Sequence, residues 1–325
     1  MPKCKIGCSG FLYDSWKDTF YPEGLTQKRW LSYYVKKLDS VELSITFYRL
    51  LKKEAFERWY SEAPPGFAFC LKGSRFVTHI KKLKDVTLPL ETFFNVTLPL
   101  HEKFEVVIWQ FPLNLKVNIK NLEGFIEVIS KYPVRHVFEF KQASWLNKKV
   151  IKLLSESNIA VCMADSPEFL NDLPVTADFV YIQRHGPGGN YALSYSPEQI
   201  KDDANKIKEF LKKGKDVYIF FNNDANAYAP QNAMELKRIL DKTLPHSLME
   251  HELHKKVSTA AKPEETVERK AVIKKTVEKK KVATKKKVIQ KTAIKKKNAA
   301  KQTTKKPAAK PAKRKTAQKA KSKKK

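Results

Sequence analysis

Residues 136–167, HVFEFKQASWLNKKVIKLLSESNIAVCMADSP, decide the fold. His136–Phe140 is a short β-branched and aromatic run, which predicts a strand. Asn147–Ser157 carries Val150, Ile151, Leu153 and Leu154 on one helical face, and 159–164 is apolar throughout, as in a parallel strand covered on both sides. A helical crossover of this length joins parallel strands and is right-handed. Both strands end on a carboxylate, Glu139 in the first and Asp165 just past the second, so the two acids are expected at one mouth.

The same unit recurs outward from this stretch. Towards the N-terminus, strands are expected at 5–9, 40–43, 67–72 and 105–110, with helices at 27–38, 54–62, 89–103 and 122–131. Residues 73–79 are expected to form a loop. Towards the C-terminus, strands are expected at 179–183 and 217–221, and helices at 197–213 and 232–240. Ser196 is the N-cap candidate of the third-from-last segment's helix and Gly214 its stop. About a dozen residues separate the sixth and seventh strands, so the helix there is short or missing. Eight strands with helices between them, in about 245 residues, predict an α/β fold of the (β/α)8 TIM-barrel type. The chain has only 10 glycines and neither G-x-G-x-x-G nor G-x-x-x-x-G-K, which argues against a nucleotide-binding doubly wound sheet.

The charge is unevenly distributed. Residues 255–325 hold 29 Lys and Arg against 4 Asp and Glu, leaving 35 and 30 of the chain's 64 and 34 in residues 1–254. The net +30 is therefore mostly a property of the tail. Residues 1–250 are expected to form the barrel and 251–325 a disordered Lys-rich tail, because its few apolar residues cannot offset the entropy of ordering a self-repelling chain. Its lysines would neutralise phosphates and release counterions, so DNA or RNA is the expected partner of 255–325. No apolar run approaches membrane-spanning length, no amphipathic aromatic stripe favours a membrane surface, and the N-terminus lacks a signal peptide's apolar stretch. Four cysteines, all in or beside apolar runs, read as buried thiols of a reduced protein. A cytoplasmic location is expected, nucleoid-associated if the source is bacterial.

Sites in such barrels lie at the C-terminal face, on the βα loops. Glu42, Glu139 and Asp165 are the candidate catalytic acids. Lys72, Arg75, His79, Arg184, His185, Asn222 and Asn223 are candidate substrate-binding residues at strand ends, with Tyr48 and Trp145 as aromatic neighbours. Acids facing bases either neutralise one another or hold an anion, with the bases clamping phosphate or carboxylate and an acid serving as base. His79 and His185 with the carboxylates include metal-ligand types, but no H-x-x-x-H or comparable spacing accompanies them, so a divalent metal is not favoured and no cofactor is assigned.

Several stretches resemble the YecE-like family, domain of unknown function 72. They are Gly7–Gly10 with Trp16 and Phe20-Tyr-Pro22, Val41–Arg49, Phe69–His79, Gln110-Phe-Pro112, Phe138-Glu-Phe140 with Ser144-Trp145, Ala164–Pro167, His185-Gly186 and Tyr218–Asp224. Together they span about residues 4–242 in family order. The resemblance implies a TIM-type barrel whose activity is not established. The chain departs from the family pattern at Ser44 and Ile45, at Lys141 and Gln142 in place of an Arg-His pair, and at Arg184, displaced by one position. A one-residue shift on a strand turns a side chain to the other face. The tail's Lys305–Lys315 run resembles Lys/Ala/Pro tails of linker histones and bacterial histone-like proteins. Two functions are expected: a nucleic-acid-associated barrel with an anion-binding mouth acting as a hydrolase or lyase, or a small-molecule enzyme for an anionic metabolite whose tail only sets location.

Overall fold

The computed structural model describes residues 2–165 and 173–243. The Lys-rich tail, its expected disorder and the Ser166-Pro167 end of the opening stretch lie outside the described residues. Eight strands form a closed, wholly parallel barrel in sequential order. They are β1 Cys4–Cys8, β2 Ser40–Leu43, β3 Ala68–Lys72, β4 Phe104–Gln110, β5 Arg135–Glu139, β6 Ala160–Ala164, β7 Phe179–Arg184 and β8 Asp216–Phe221. Closure is between β8 and β1, with Ile6 opposite Ile219 and Cys8 opposite Phe221.

Helices α1 Trp30–Tyr34, α2 Ile45–Tyr48, α3 Lys53–Glu62, α4 Thr87–Thr97, α5 Ile119–Ile129, α6 Lys148–Glu156, α7 Pro197–Lys212 and α8 Tyr228–Thr243 cover the barrel. Two of them show their caps plainly. Asn147 caps α6 by accepting from the Lys149 and Val150 amides at 3.1 Å, and Ser196 opens α7 with a capping box to Gln199. The expected helix at 27–38 is shorter, a 3-10 turn followed by α1 alone. The expected loop at 73–79 instead contains a π-helical turn, Phe76–Ile80, a form that concentrates at functional sites.

The period-2 alternation of the strands sorts side chains into two cores. Val41, Phe69, Val107, Trp109, Phe138, Val161, Ile182 and Phe221 face the helices. Cys70, Val106, Ile108, Val137, Ala160, Cys162, Ala164, Phe179, Tyr181, Tyr218 and Phe220 fill the barrel. The small residues of β6 make room for the aromatic rings of β7 and β8 across the interior, where Tyr181 lies 5.2 Å from Phe220 and 6.3 Å from Tyr218.

The N-terminal end of the barrel is closed by charge pairs. Lys3 bonds Glu105 at 2.9 Å, Tyr218 donates to Glu105 at 2.5 Å and Arg135 pairs with Asp216 at 2.7 Å. Lys5, fully buried there, donates to the Gly66 carbonyl, and burial lowers its ammonium pKa to about 8. At the opposite, C-terminal end polar side chains also point inward.

Candidate active site at the barrel mouth

The inward positions at the C-terminal strand ends are Glu42 on β2, Lys72 on β3, Gln110 on β4, Glu139 on β5 and Gln183 on β7, all in register with interior residues. His185 and Asn222 continue the same alternation just past β7 and β8. Glu139, 2 % exposed, is the electrostatic centre. Gln110 donates to its two oxygens at 3.0 and 2.8 Å, Lys141 pairs with Oε1, and Lys72 stands 3.8 Å from Oε2. Burial alone would push the Glu139 carboxyl up, but Lys72 and Lys141 overrule it and hold it at about 2. Glu139 is thus a standing anion between two cations, an anchor rather than a base. Lys72 also lies 5.2 Å from the centre of the Phe47 ring, which helps fix its direction.

Glu42 is built differently. It is 1 % exposed and is in no ion pair among the described residues. Tyr181 and Gln183 donate to Oε2 at 2.5 and 2.7 Å, whereas among the described residues Oε1 meets only the Ser44 hydroxyl at 3.5 Å. The Cys162 thiol, 3.6 Å from Gln183 Oε1, fixes which way that amide points. One carboxylate oxygen is therefore held and the other left open.

His185 is 6 % exposed. The Asn222 amide nitrogen, which can only donate, meets Nδ1 at 3.1 Å, so Nε2 carries the ring proton. That Nε2 is buried and has no hydrogen-bond partner among the described residues. Burial pushes the His185 pKa down; Glu139 opposes this and Lys141 reinforces it, so the ring is neutral at pH 7. Among the described residues the buried Ser9 hydroxyl at the end of β1 and Asn223 Oδ1 after β8 likewise have no partner, as does the Ser40 hydroxyl at the start of β2. Buried polar atoms are nearly always paired, and three of these four orphans lie at the C-terminal end, where a polar ligand would satisfy them. Tyr191, half exposed, places its ring 5.3 Å from that of His185 and forms part of the rim.

The remaining expected site residues divide. His79, carried on the π-helical turn, packs edge-on against Phe47 at 5.0 Å and hydrogen-bonds Thr78, and burial together with Arg75 and Lys72 lowers its pKa. Arg75 and Tyr48 are exposed on the rim. Asn223 is fully buried and holds the Leu193 carbonyl and Asn232, which secures the loop after β8. Three residues expected at the mouth are not there. Arg184 follows the inward Gln183, so alternation turns it outward, where it pairs with Asp203 of α7. Asp165 follows the inward Ala164 and accepts from the His185 backbone amide at 2.7 Å and from the Tyr195 hydroxyl, so it fixes loops. Trp145 is 1 % exposed, stacks on Phe140 at 5.2 Å and donates to the Leu115 carbonyl, so it is core. Lys141 and Gln110 are the residues absent from the expected set, although Lys141 stands two positions from Glu139 and hence on the same face. Among the described residues no three His, Cys, Asp or Glu side chains lie close enough together to hold a metal ion.

The family described as Protein of unknown function DUF72 matches residues 5–257. UPF0759 protein YunF of Bacillus subtilis (strain 168) is 22 % identical over 258 residues, which cover 69 % of this chain and 91 % of that protein. Among solved structures, a DUF72 family protein from Thermotoga maritima MSB8 is 29 % identical with a TM-score of 0.66, over 74 % of this chain and 99 % of that one. A DUF72 family protein from Enterococcus faecalis V583, 18 % identical, has a TM-score of 0.63 over 74 % of this chain and 97 % of that one, and shares the fold.

Proposed function

The chain belongs to the DUF72 family, and from that premise we propose that its barrel mouth binds a small anionic metabolite and carries out acid–base chemistry on it. The observation that carries this reading is the protonated Nε2 of His185, without a partner among the described residues and within electrostatic reach of a Lys72–Glu139–Lys141 triad that holds one positive charge in excess. The lysines attract a carboxylate or phosphate, and the His185 N–H donates to an oxygen where negative charge develops. A neutral imidazole suits that role because it donates without already being charged. Glu42 is the candidate base, its Oε2 held by Tyr181 and Gln183 and its Oε1 facing no strong donor.

The test is a thermal-shift and calorimetric screen of phosphorylated and carboxylated metabolites against the full chain, repeated with Lys72→Ala and Lys141→Ala. Tail lysines contribute the same background to all three proteins. Hits that vanish in both variants support the reading; anions that bind all three proteins equally refute it.

A second reading rests on composition. With 29 basic against 4 acidic residues, 255–325 is suited to sequence-independent binding of DNA or RNA, whose affinity falls steeply with salt. A salt titration of duplex and single-stranded probes, full-length against 1–250, tests it: binding kept by 1–250 would assign the contact to the barrel instead.

A further inference from the structure

We infer that the protein has a second anion site, outside the barrel mouth, that takes a phosphate group. A cleft of about 290 Å³ opens between the loop after the Phe76–Ile80 turn and the loop after β4. Lys82, Lys84 and Lys116 line it together with Asn114, Asn118 and Asn121, and no carboxylate residue does. Trp145 contributes to its apolar floor.

Three features make this more than a run of surface lysines. First, none of the three lysines that line the cleft is in an ion pair among the described residues. A multiply charged anion compensates them at once. Second, the amides are free to donate: Asn118 uses its oxygen to cap the Asn121 backbone at 3.0 Å, and Asn114 and Asn121 make no side-chain hydrogen bond among the described residues. Third, Lys82, Leu83 and Asp85 hold φ of 49°, 68° and 49°, a left-handed conformation that non-glycine residues adopt at a cost. Such strain collects where a loop must hold a particular shape for a ligand. Lysines acting as point charges with neutral amide donors between them suit the several oxygens of a phosphate group. The site shares no residue with the Lys72–Glu139–Lys141 triad, so it does not depend on the reading of the mouth.

Lysine-acetylation footprinting of the full chain, read residue by residue by mass spectrometry, separates this cleft from the tail. The probes are inorganic pyrophosphate and, separately, a thymidine oligonucleotide. At a probe concentration of about four times Kd, Lys82, Lys84 and Lys116 should label about fivefold more slowly, while exposed Lys28, Lys36 and Lys53 are unchanged. Lys116→Ala should remove the protection of Lys82 and Lys84. Protection by pyrophosphate identifies a phosphate-bearing small molecule as the source, and protection by the oligonucleotide alone identifies a phosphodiester; either supports the site. Labelling of the three lysines at the comparators' rate with both probes overturns it, as does protection that survives Lys116→Ala. Lys72 and Lys141 in the same spectra report the mouth separately.

Discussion

Replacing Glu139 by Gln tests the electrostatic core of the mouth. The Glu139 carboxyl is held at about 2 against an ordinary 4.5, because Lys72 and Lys141 outweigh its burial. That displacement corresponds to about 3 kcal/mol of stability at neutral pH. The folded value is depressed, so this contribution is complete above about pH 4.5 and is lost as the pH falls from there towards 2. Glu139→Gln keeps the shape but leaves Lys72 and Lys141 facing each other without an anion. At pH 7 the variant should unfold with about 3 kcal/mol less free energy, read from urea transitions followed by circular dichroism. Near pH 2.5 the unfolded chain's carboxyl is protonated while the folded one is still largely ionised, so most of the linked contribution is gone and the two proteins should differ by only about 1 kcal/mol. Other carboxylates titrate in the same range, but they do so in both proteins and cancel in the difference. A stability difference that stays constant from pH 7 to pH 2.5, or that is absent at pH 7, would refute the assignment of Glu139 as a standing anion.

Three further outcomes are expected. Asp203→Asn leaves the buried Arg184 guanidinium without its carboxylate between β7 and α7, and should cost about 3 kcal/mol by urea unfolding while leaving anion binding at the mouth intact. Gly73→Ala should destabilise by about 1–3 kcal/mol, since a Cβ there would lie 2.1 Å from the Trp109 ring, and a thermal melt at unchanged pH would show it. His185 should titrate below the ordinary histidine value, because burial lowers its pKa; the part of stability linked to it is full above about pH 6.5 and lost as pH falls below, and a His185→Gln variant should lack that dependence.

The barrel is written in the sequence because its strands are apolar runs of fixed length and its helices carry separate amphipathic stripes. The opening stretch already contains one complete strand–helix–strand unit, and β5, α6 and β6 lie within a residue or so of where it places them. The mouth was only half legible, for a reason of geometry. Strand ends name the residues near the opening, but alternation decides which of them face it. Glu139 and Lys141 share a face and act together, whereas Arg184 and Asp165 each follow an inward neighbour and turn away. The displacement of Arg184 by one position from the family pattern was the visible signal of its outward turn. Trp145 gave no such signal, since an aromatic loop residue packs a rim as readily as it stacks on a ligand, and here Phe140 and the Leu115 carbonyl take it. The π-helical turn at Phe76–Ile80 was invisible because its pattern is that of any loop with aromatic and β-branched residues.

The most direct test of the anion-binding mouth is the imidazole nitrogen spectrum of His185 in the full chain, by long-range ¹⁵N–¹H correlation, during titration with inorganic phosphate and then malonate. A neutral ring protonated at Nε2 at pH 7 is expected, with an Nε2 resonance that shifts saturably with one of these anions and does not shift in Lys72→Ala or Lys141→Ala. A ring protonated at Nδ1, or an Nε2 resonance indifferent to both anions, would contradict it.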